Sequence, residues 1–407
     1  MTNVQEEIKK PSGLNRKQKR SLEKNLMKLL PKSTISVSKK SKITEADIIK
    51  DVFSASMCQT SIEEMADKID HSPDRVIANL NQLGIEKIEE VMIKNAEKVA
   101  LQLRKTRRVR FAVAFDFTDV MYYGDEDNKF VVGTKPKNGT CWSFRFFVVN
   151  IVTEGVRFLL YACPLTKETN GAMTHVEAGI EILQRLKLNF YVLTMDKEFY
   201  SADVINYLQE KDFHLLMPAV QNSKFLREVE KIKFPEKLPV ILMNWRVGQP
   251  FINETETTLV ILEEKDRKTE EMHVFGYITN LPIEFYEKDV VVLSKLYSKR
   301  WGIETAFRVQ DKFDIYTTST KGNVRYFFFV ISCLLYNLWV FINFFIQIPE
   351  FERGKFRIII KVDKLKIFFT IFLLKNEVIK NQKIADLLLS AMEERQILWL
   401  FATFHLQ

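Results

Sequence analysis

Five residues stand where their types and spacing could do chemistry together. The segment Tyr297–Arg308 reads YSKRWGIETAFR. At about 100° per residue, Tyr297, Arg300 and Glu304 fall on one stripe of a helix and Arg308 continues it. Trp301, Ile303 and Phe307 then turn toward a core. A glutamate beside an arginine and a tyrosine suits a metal ligand flanked by phosphate contacts, because a guanidinium grips phosphate through charge-assisted hydrogen bonds. The simpler alternative is a charged surface helix in which Glu304 and Arg308 form an i,i+4 pair. Two aspartates strengthen the first reading. Asp116 sits in an otherwise apolar run, Arg110–Phe117 (RFAVAFDF), and Asp196 closes another, Phe190–Met195. A carboxylate at an apolar strand end is costly unless it is paired or bound to a cation. If the two strands are neighbours, the carboxylates repel each other and favour a divalent ion. A third acid from a later helix would complete a site for two Mg²⁺ ions about 3.5–4 Å apart, the arrangement used in phosphoryl transfer. Asp119 competes with Asp116. The apolar run places Asp116 within the strand and Asp119 in the turn that holds Tyr122, Tyr123, Gly124 and Asp125.

Elements of alternating type must position these residues. Thr140–Val152 and Val156–Leu165 read as strands that form an antiparallel meander with the first. His175–Leu188 is an amphipathic helix. Ser201 caps a helix that runs to Asp212. The strands Phe190–Met195 and Phe213–Val220 enclose that helix, so they are expected to be parallel. Leu238–Trp245, Thr258–Glu263 and His273–Thr279 read as strands of a β-rich insertion. Helix returns at Val291 and runs to about Phe313. The tail from Phe356 alternates basic and apolar residues and ends in a helical pattern around Ile384–Phe404. Asp125, Glu126 and Asp127 read as a solvated turn, while Lys197 and Glu198, which follow Asp196, either shape the site or stand exposed to solvent. No histidine has a metal-ligand spacing to another.

The rest of the chain bounds the function. With 407 residues, 46% hydrophobic and only 13 glycines and 11 prolines, it is globular, with room for two or three domains. Its four cysteines are scattered without a CxxC pair, so they are expected to be buried thiols in a reducing cytoplasm. No signal-peptide core opens the chain. Charge is uneven: residues 1–42 hold 12 Lys and Arg against three Glu, a net +9, so the total of +8 leaves −1 for the remainder. Such an arm is a contact for a polyanion, nucleic acid above all, or a solvated tail. Residues 44–104 read as helical. Within them, Ser61–Leu80 resembles a helix-turn-helix, with Met65, Ala66 and Ile69 on the inner face of its first helix and Asp70 in its turn. Ser72 caps the second helix, Pro73 opens it, and Arg75 and Asn79 are its candidate DNA-reading residues. An ordinary helical hairpin fits the same pattern. The cluster Lys105–Arg110 closes this region. Tyr326–Ile346 is as long as the roughly 20 apolar residues that span a bilayer, and equally suits a helix buried behind a sheet.

Taken together, these motifs resemble a DDE-type insertion-sequence transposase with a ribonuclease H-like core. One large group of that family carries a Tyr-x2-Arg-x3-Glu-x6-Lys helix. Tyr297, Arg300 and Glu304 match its first three members. The seventh residue after Glu304 is Asp311, with Lys312 one place later, about 100° around the helix, so Arg308 could substitute for the lysine. The family's two aspartates fall on Asp116 and Asp196. The resemblance covers about residues 111–346 and implies an α/β fold: a ribonuclease H-like mixed sheet flanked by helices, with a β-rich insertion and an all-helical N-terminal region. The divisions are 1–43 (basic arm), 44–109 (helical, DNA-binding), 110–220 (first part of the core), 221–282 (insertion), 283–348 (second part of the core, with the Glu helix and a buried apolar helix) and 349–407 (C-terminal region). The implied activity is cutting of element ends and joining of the 3′-OH to target DNA by two-metal phosphoryl transfer. Asp116, Asp196 and Glu304 would hold two Mg²⁺ (or Mn²⁺) ions, with Tyr297, Arg300, Arg308 and Lys312 as DNA contacts. The implied partners are element terminal repeats, target DNA and a second copy of the chain in a synaptic homodimer, in the cytoplasm and without a membrane. A ribonuclease H-fold nuclease without strand transfer, and a DNA-binding protein with a decayed core, share the same features.

Overall fold

The computed structural model describes residues 43–65, 72–104, 110–153, 155–232, 239–250, 252–265, 271–346, 358 and 360–367. The basic arm, most of the Lys105–Arg110 cluster, Ala66, Ile69 and Asp70, and the tail helix around Ile384–Phe404 lie outside them.

Three helices come first: α1 (Glu45–Cys58), α2 (Pro73–Asn81) and α3 (Ile85–Leu103). Thr44 and Asp47 form a capping box at the start of α1, satisfying two otherwise orphan amides. Pro73 opens α2, but the Ser72 side chain makes no cap hydrogen bond. Residues 61–65 are turn rather than the expected first helix of a helix-turn-helix, and Ser61 bridges to Tyr316.

A nine-stranded mixed sheet follows, among the described residues. Its first four strands are β1 (Phe111–Tyr122), β2 (Val131–Lys137), β3 (Thr140–Ile151) and β4 (Leu159–Pro164). The helix α4 (Ala172–Leu186), the strand β5 (Phe190–Met195), the helix α5 (Ala202–Glu210) and the strand β6 (Leu215–Pro218) come next. β3 runs antiparallel to β1 and β4, while β5 lies parallel to both β1 and β6. This is the expected ribonuclease H-like arrangement, with β2 added between β1 and β3 in the chain. The short β2 ends in Lys-Pro-Lys, which hides its strand character.

The segment expected as a β-rich insertion holds a helix, α6 (Ser223–Lys231), and three strands: β7 (Val240–Val247), β8 (Thr255–Lys265) and β9 (Met272–Thr279). These strands extend the main sheet, because β9 pairs antiparallel with β6. The last elements are α7 (Val291–Ser298), α8 (Trp301–Gln310) and α9 (Gly322–Ile346).

Residue size along β1 explains how the two faces of the sheet are covered. Phe111, Val113 and Phe115 point into the larger core layer, with residues of α3, α4 and α9. The small Ala112 and Ala114 alternate to the other face, where Leu293, Leu296 and Ile303 of α7 and α8 pack. The long apolar α9 could cross a membrane by length and composition, yet its apolar stretch is buried throughout within the molecule. It is also keyed by polar contacts. Asn337 Nδ2 donates to Asn95 Oδ1 (2.9 Å) and Leu159 O (2.7 Å), and its Oδ1 accepts from Leu159 N (2.9 Å). That hydrogen bonding ties α9 to α3 and β4. Of the cysteines, Cys163 and Cys333 are buried, Cys58 is half-buried and, against expectation, Cys141 is exposed.

Candidate active site

β1 is longer than its apolar run suggested, so Asp119 belongs to the strand and not to a turn. It stands three positions along the strand from Asp116, an odd offset that sends their side chains to opposite faces. Asp119 accepts hydrogen bonds from Ser143 Oγ (2.8 Å) and Thr134 Oγ1 (3.1 Å). Asp116 faces the α7–α8 layer. Parallel pairing sets Phe115 opposite Met195, and Asp116 and Asp196 are the residues that follow that pair. The two aspartates therefore stand side by side, Asp116 within β1 and Asp196 just past the end of the adjacent β5.

The segment expected as one helix is two, α7 and α8, meeting at Lys299 and Arg300. Arg300 N donates to Tyr297 O and Ile303 N to Arg300 O, each at 2.8 Å, so the junction is wound as a 3₁₀ turn. That winding superposes residues three apart. Arg300 Nε accordingly donates to Tyr297 Oη (3.1 Å), with the guanidinium 5.5 Å from the ring centre. Arg300 Nη1 donates to Asp116 Oδ2 at 2.7 Å. The pair is largely desolvated, at 9% exposure for the arginine side chain and 17% for the aspartate. Trp301, expected to face the core, is 58% exposed, because it lies about 200° round α8 from Ile303, which is buried. Phe307 is half-buried.

Burial pushes the Asp116 carboxyl up to about 6; the Arg300 guanidinium and the Phe117 amide oppose this, while Asp196 and Glu304 add to it. Burial also pushes Tyr297 up to about 12, against the pull of Arg300. Arg300 is held above its ordinary value: burial opposes the charge, but Tyr297, Asp116 and Asp196 together outweigh it. Glu304 lies on α8, exposed, within electrostatic reach of Asp116 and without a hydrogen bond or ion pair to Arg308 among the described residues. Asp196 accepts from Lys197 N through Oδ1, and its Oδ2 has no partner among the described residues.

The three acids share one neighbourhood but do not close into a cluster of three or more ligands around a single point, among the described residues. Their donor chemistry nonetheless fits a hard divalent cation. It consists of carboxylate oxygens alone, two of the three groups have oxygens to spare, and the third is a buried anion that one guanidinium does not fully compensate.

The other candidates lie elsewhere. Arg308 is exposed on the last turn of α8. Lys312 lies in the 3₁₀ turn Asp311–Phe313, close enough to Lys366 to help lower that lysine's pKa. Of the α2 candidates, Arg75 and Ser72 are exposed, and half-buried Asn79 donates back to Arg75 O (2.8 Å). The Arg300–Asp116 contact has no counterpart in the residue spacing. No local signal foretells a pair 184 residues apart in the chain.

A family model described as a transposase DDE domain matches residues 112–338, from β1 into α9. A search of curated proteins finds no match. Among solved structures, the piggyBac transposase, in a synaptic complex with hairpin DNA, has a similar fold. Its TM-score is 0.50 at 12% identity, covering 95% of this chain and 81% of that one. At that identity the likeness concerns the fold.

Proposed function

The chain belongs to the DDE transposase domain family, and we propose that it cuts the ends of an insertion sequence and joins each freed 3′-OH to target DNA. The observation that carries this reading is Asp116 and Asp196 side by side on adjacent strands, with Glu304 of α8 acting on the Asp116 carboxyl. These three residues would hold two Mg²⁺ (or Mn²⁺) ions, which when bound polarise phosphoryl oxygens and favour the ionised form of the attacking hydroxyl.

The chain's own residues do the positioning. Arg300 uses Nη1 and Nε on Asp116 and Tyr297. Its Nη2 has no hydrogen bond among the described residues and is the donor for a phosphate oxygen. The Tyr297 hydroxyl stays protonated at neutral pH, being pushed up to about 12, so it contacts DNA as a neutral donor. Arg308 supplies a further basic contact along α8, and Lys312 one beyond it. Water attacks a phosphodiester first and releases a 3′-OH. That 3′-OH then attacks a target phosphodiester, displacing a second 3′ oxygen, so no enzyme-bound ester is needed. The partners in this reading are element ends, target DNA and a second copy of the chain that brings two ends together.

The test is incubation of purified protein with a labelled element end and Mg²⁺. Cleaved and joined products are expected. Cleavage without joining would assign a nuclease that hydrolyses only, and neither product would overturn the reading.

A further inference from the structure

Behind the two aspartates, on the other face of the sheet, lies a group of residues with no part in the chemistry proposed above. Asp119 and Arg145 are directly paired across the β1–β3 ladder. Arg145 Nε lies 3.5 Å from Asp119 Oδ1, and Arg145 Nη2 donates to Glu198 Oε2 at 2.7 Å. Glu198 is two residues beyond Asp196, in the 3₁₀ turn Lys197–Phe199 that Asp196 itself caps. The guanidinium also lies 4.6 Å from the centre of the Phe117 ring. Phe117 is the residue next to Asp116, and it stacks on Phe199 with centroids 4.8 Å apart and planes 7° from parallel.

One arginine thus touches the strand that carries Asp116 twice and the turn that carries Asp196 once. We propose that Asp119, Arg145 and Glu198 form a positioning relay that sets the separation of Asp116 and Asp196 for metal binding. The relay rests on the transposase reading for its purpose, though not for its geometry. A lone exposed ion pair contributes little. This one differs because the arginine is only 18% exposed, is flanked by a ring, and bridges two acids. Asp119 is itself fixed by Ser143 and Thr134, so the relay starts from a rigid point on the sheet. The Phe117–Phe199 stack alone would let the turn slide in the plane of the rings. The directional Arg145–Glu198 bond removes that freedom.

The variants are Glu198→Gln, which changes one half-exposed side chain, and Arg145→Lys, which keeps the charge but loses the fork and the flat face. Three quantities are read: Mn²⁺ affinity of the full chain by electron paramagnetic resonance, the Mg²⁺ concentration for half-maximal cleavage, and hydrogen exchange of the Phe199 and Tyr200 amides. Outer contacts of this kind typically change metal affinity by roughly 10–100-fold. Both variants are therefore expected to bind Mn²⁺ at least about tenfold more weakly and to need correspondingly more Mg²⁺. The maximal rate at saturating metal and the DNA affinity should be nearly unchanged, while the two amides exchange faster. Wild-type exchange and Mn²⁺ affinity in Glu198→Gln would overturn the relay, as would a fall in DNA affinity as large as the fall in metal affinity. If the wild-type chain exchanges as expected yet cleaves no DNA, the transposase reading fails while the exchange data still decide the relay.

Discussion

Arg300 holds Asp116 in the free chain, and removing it should change how activity depends on pH. Asp116 stands at about 6 even with the guanidinium beside it. An adjacent arginine lowers a carboxyl by roughly 1–3 pKa units, so Arg300→Ala should send Asp116 to roughly 7–9. At about 1.4 kcal/mol per unit, that is a penalty of about 1.4–4 kcal/mol on the ionised form. A metal ligand must be ionised, so protons compete with the cation. At pH 7 the wild-type carboxyl is about nine-tenths ionised, whereas a carboxyl at about 8 is one-tenth ionised. The variant should therefore need roughly tenfold more Mg²⁺ at pH 7, a deficit that closes by about pH 9. On top of this, removing a phosphate-binding group worth about 1.5–3 kcal/mol should lower cleavage about tenfold to hundredfold at every pH. Cleavage of a labelled element end, measured from pH 6 to 9.5 at several Mg²⁺ concentrations, separates the two effects. Arg300→Lys should keep the acidic limb close to that of the wild type, because it keeps the charge. A wild-type to Arg300→Ala ratio that stays constant over this range would refute the argument and leave Arg300 as a phosphate-binding residue alone.

Three further outcomes are expected. Asp116→Asn, Asp196→Asn and Glu304→Gln should each remove cleavage and joining while leaving DNA affinity in a gel-shift assay nearly intact; normal cleavage by any one would remove that residue from the site. Deleting residues 1–42, with their 12 basic side chains, should flatten the plot of log affinity against log salt by about 0.9 for each phosphate that the arm neutralises, and an unchanged slope would make the arm a solvated tail. Burial, with help from Asp311, pushes Asp314 up to about 7, although Ser332 and Gln310 bond to it. A raised carboxyl gives stability that is complete below its unfolded value of 3.8 and is lost as pH rises through about 7. The size is at most about 4 kcal/mol. Asp314→Asn should flatten urea stability between pH 4 and 8, and a variant with the wild-type slope would show that Asp314 does not titrate there.

Local order carries much of this molecule. The run around Asp116, the apolar strand before Asp196 and the capping Ser201 are legible because strand period, apolar content and caps depend on residues within a few positions of one another. The family resemblance of Tyr297, Arg300 and Glu304 is legible for the same reason, since it is a matter of spacing. Where an apolar segment goes is not local. Tyr326–Ile346 reads equally as a membrane span or a core helix, and Asn337 reaching Leu159 and Asn95 is what marks it as core. Strand length misled in one place: β1 runs past its apolar part to Tyr122, held there by pairing with β3, and this moved Asp119 from a turn to the rear face of the sheet. The three late strands are legible as a β-rich insertion because polar turns separate them, but that β9 continues the main sheet is not, since it rests on backbone bonds that any sequence can make. The site depends most on such distant choices. Helical spacing put Arg300 on the same stripe as Glu304, but the 3₁₀ junction and the alanine-lined face of β1 decided that its guanidinium would meet Asp116, because only packing across the sheet brings together residues 184 apart.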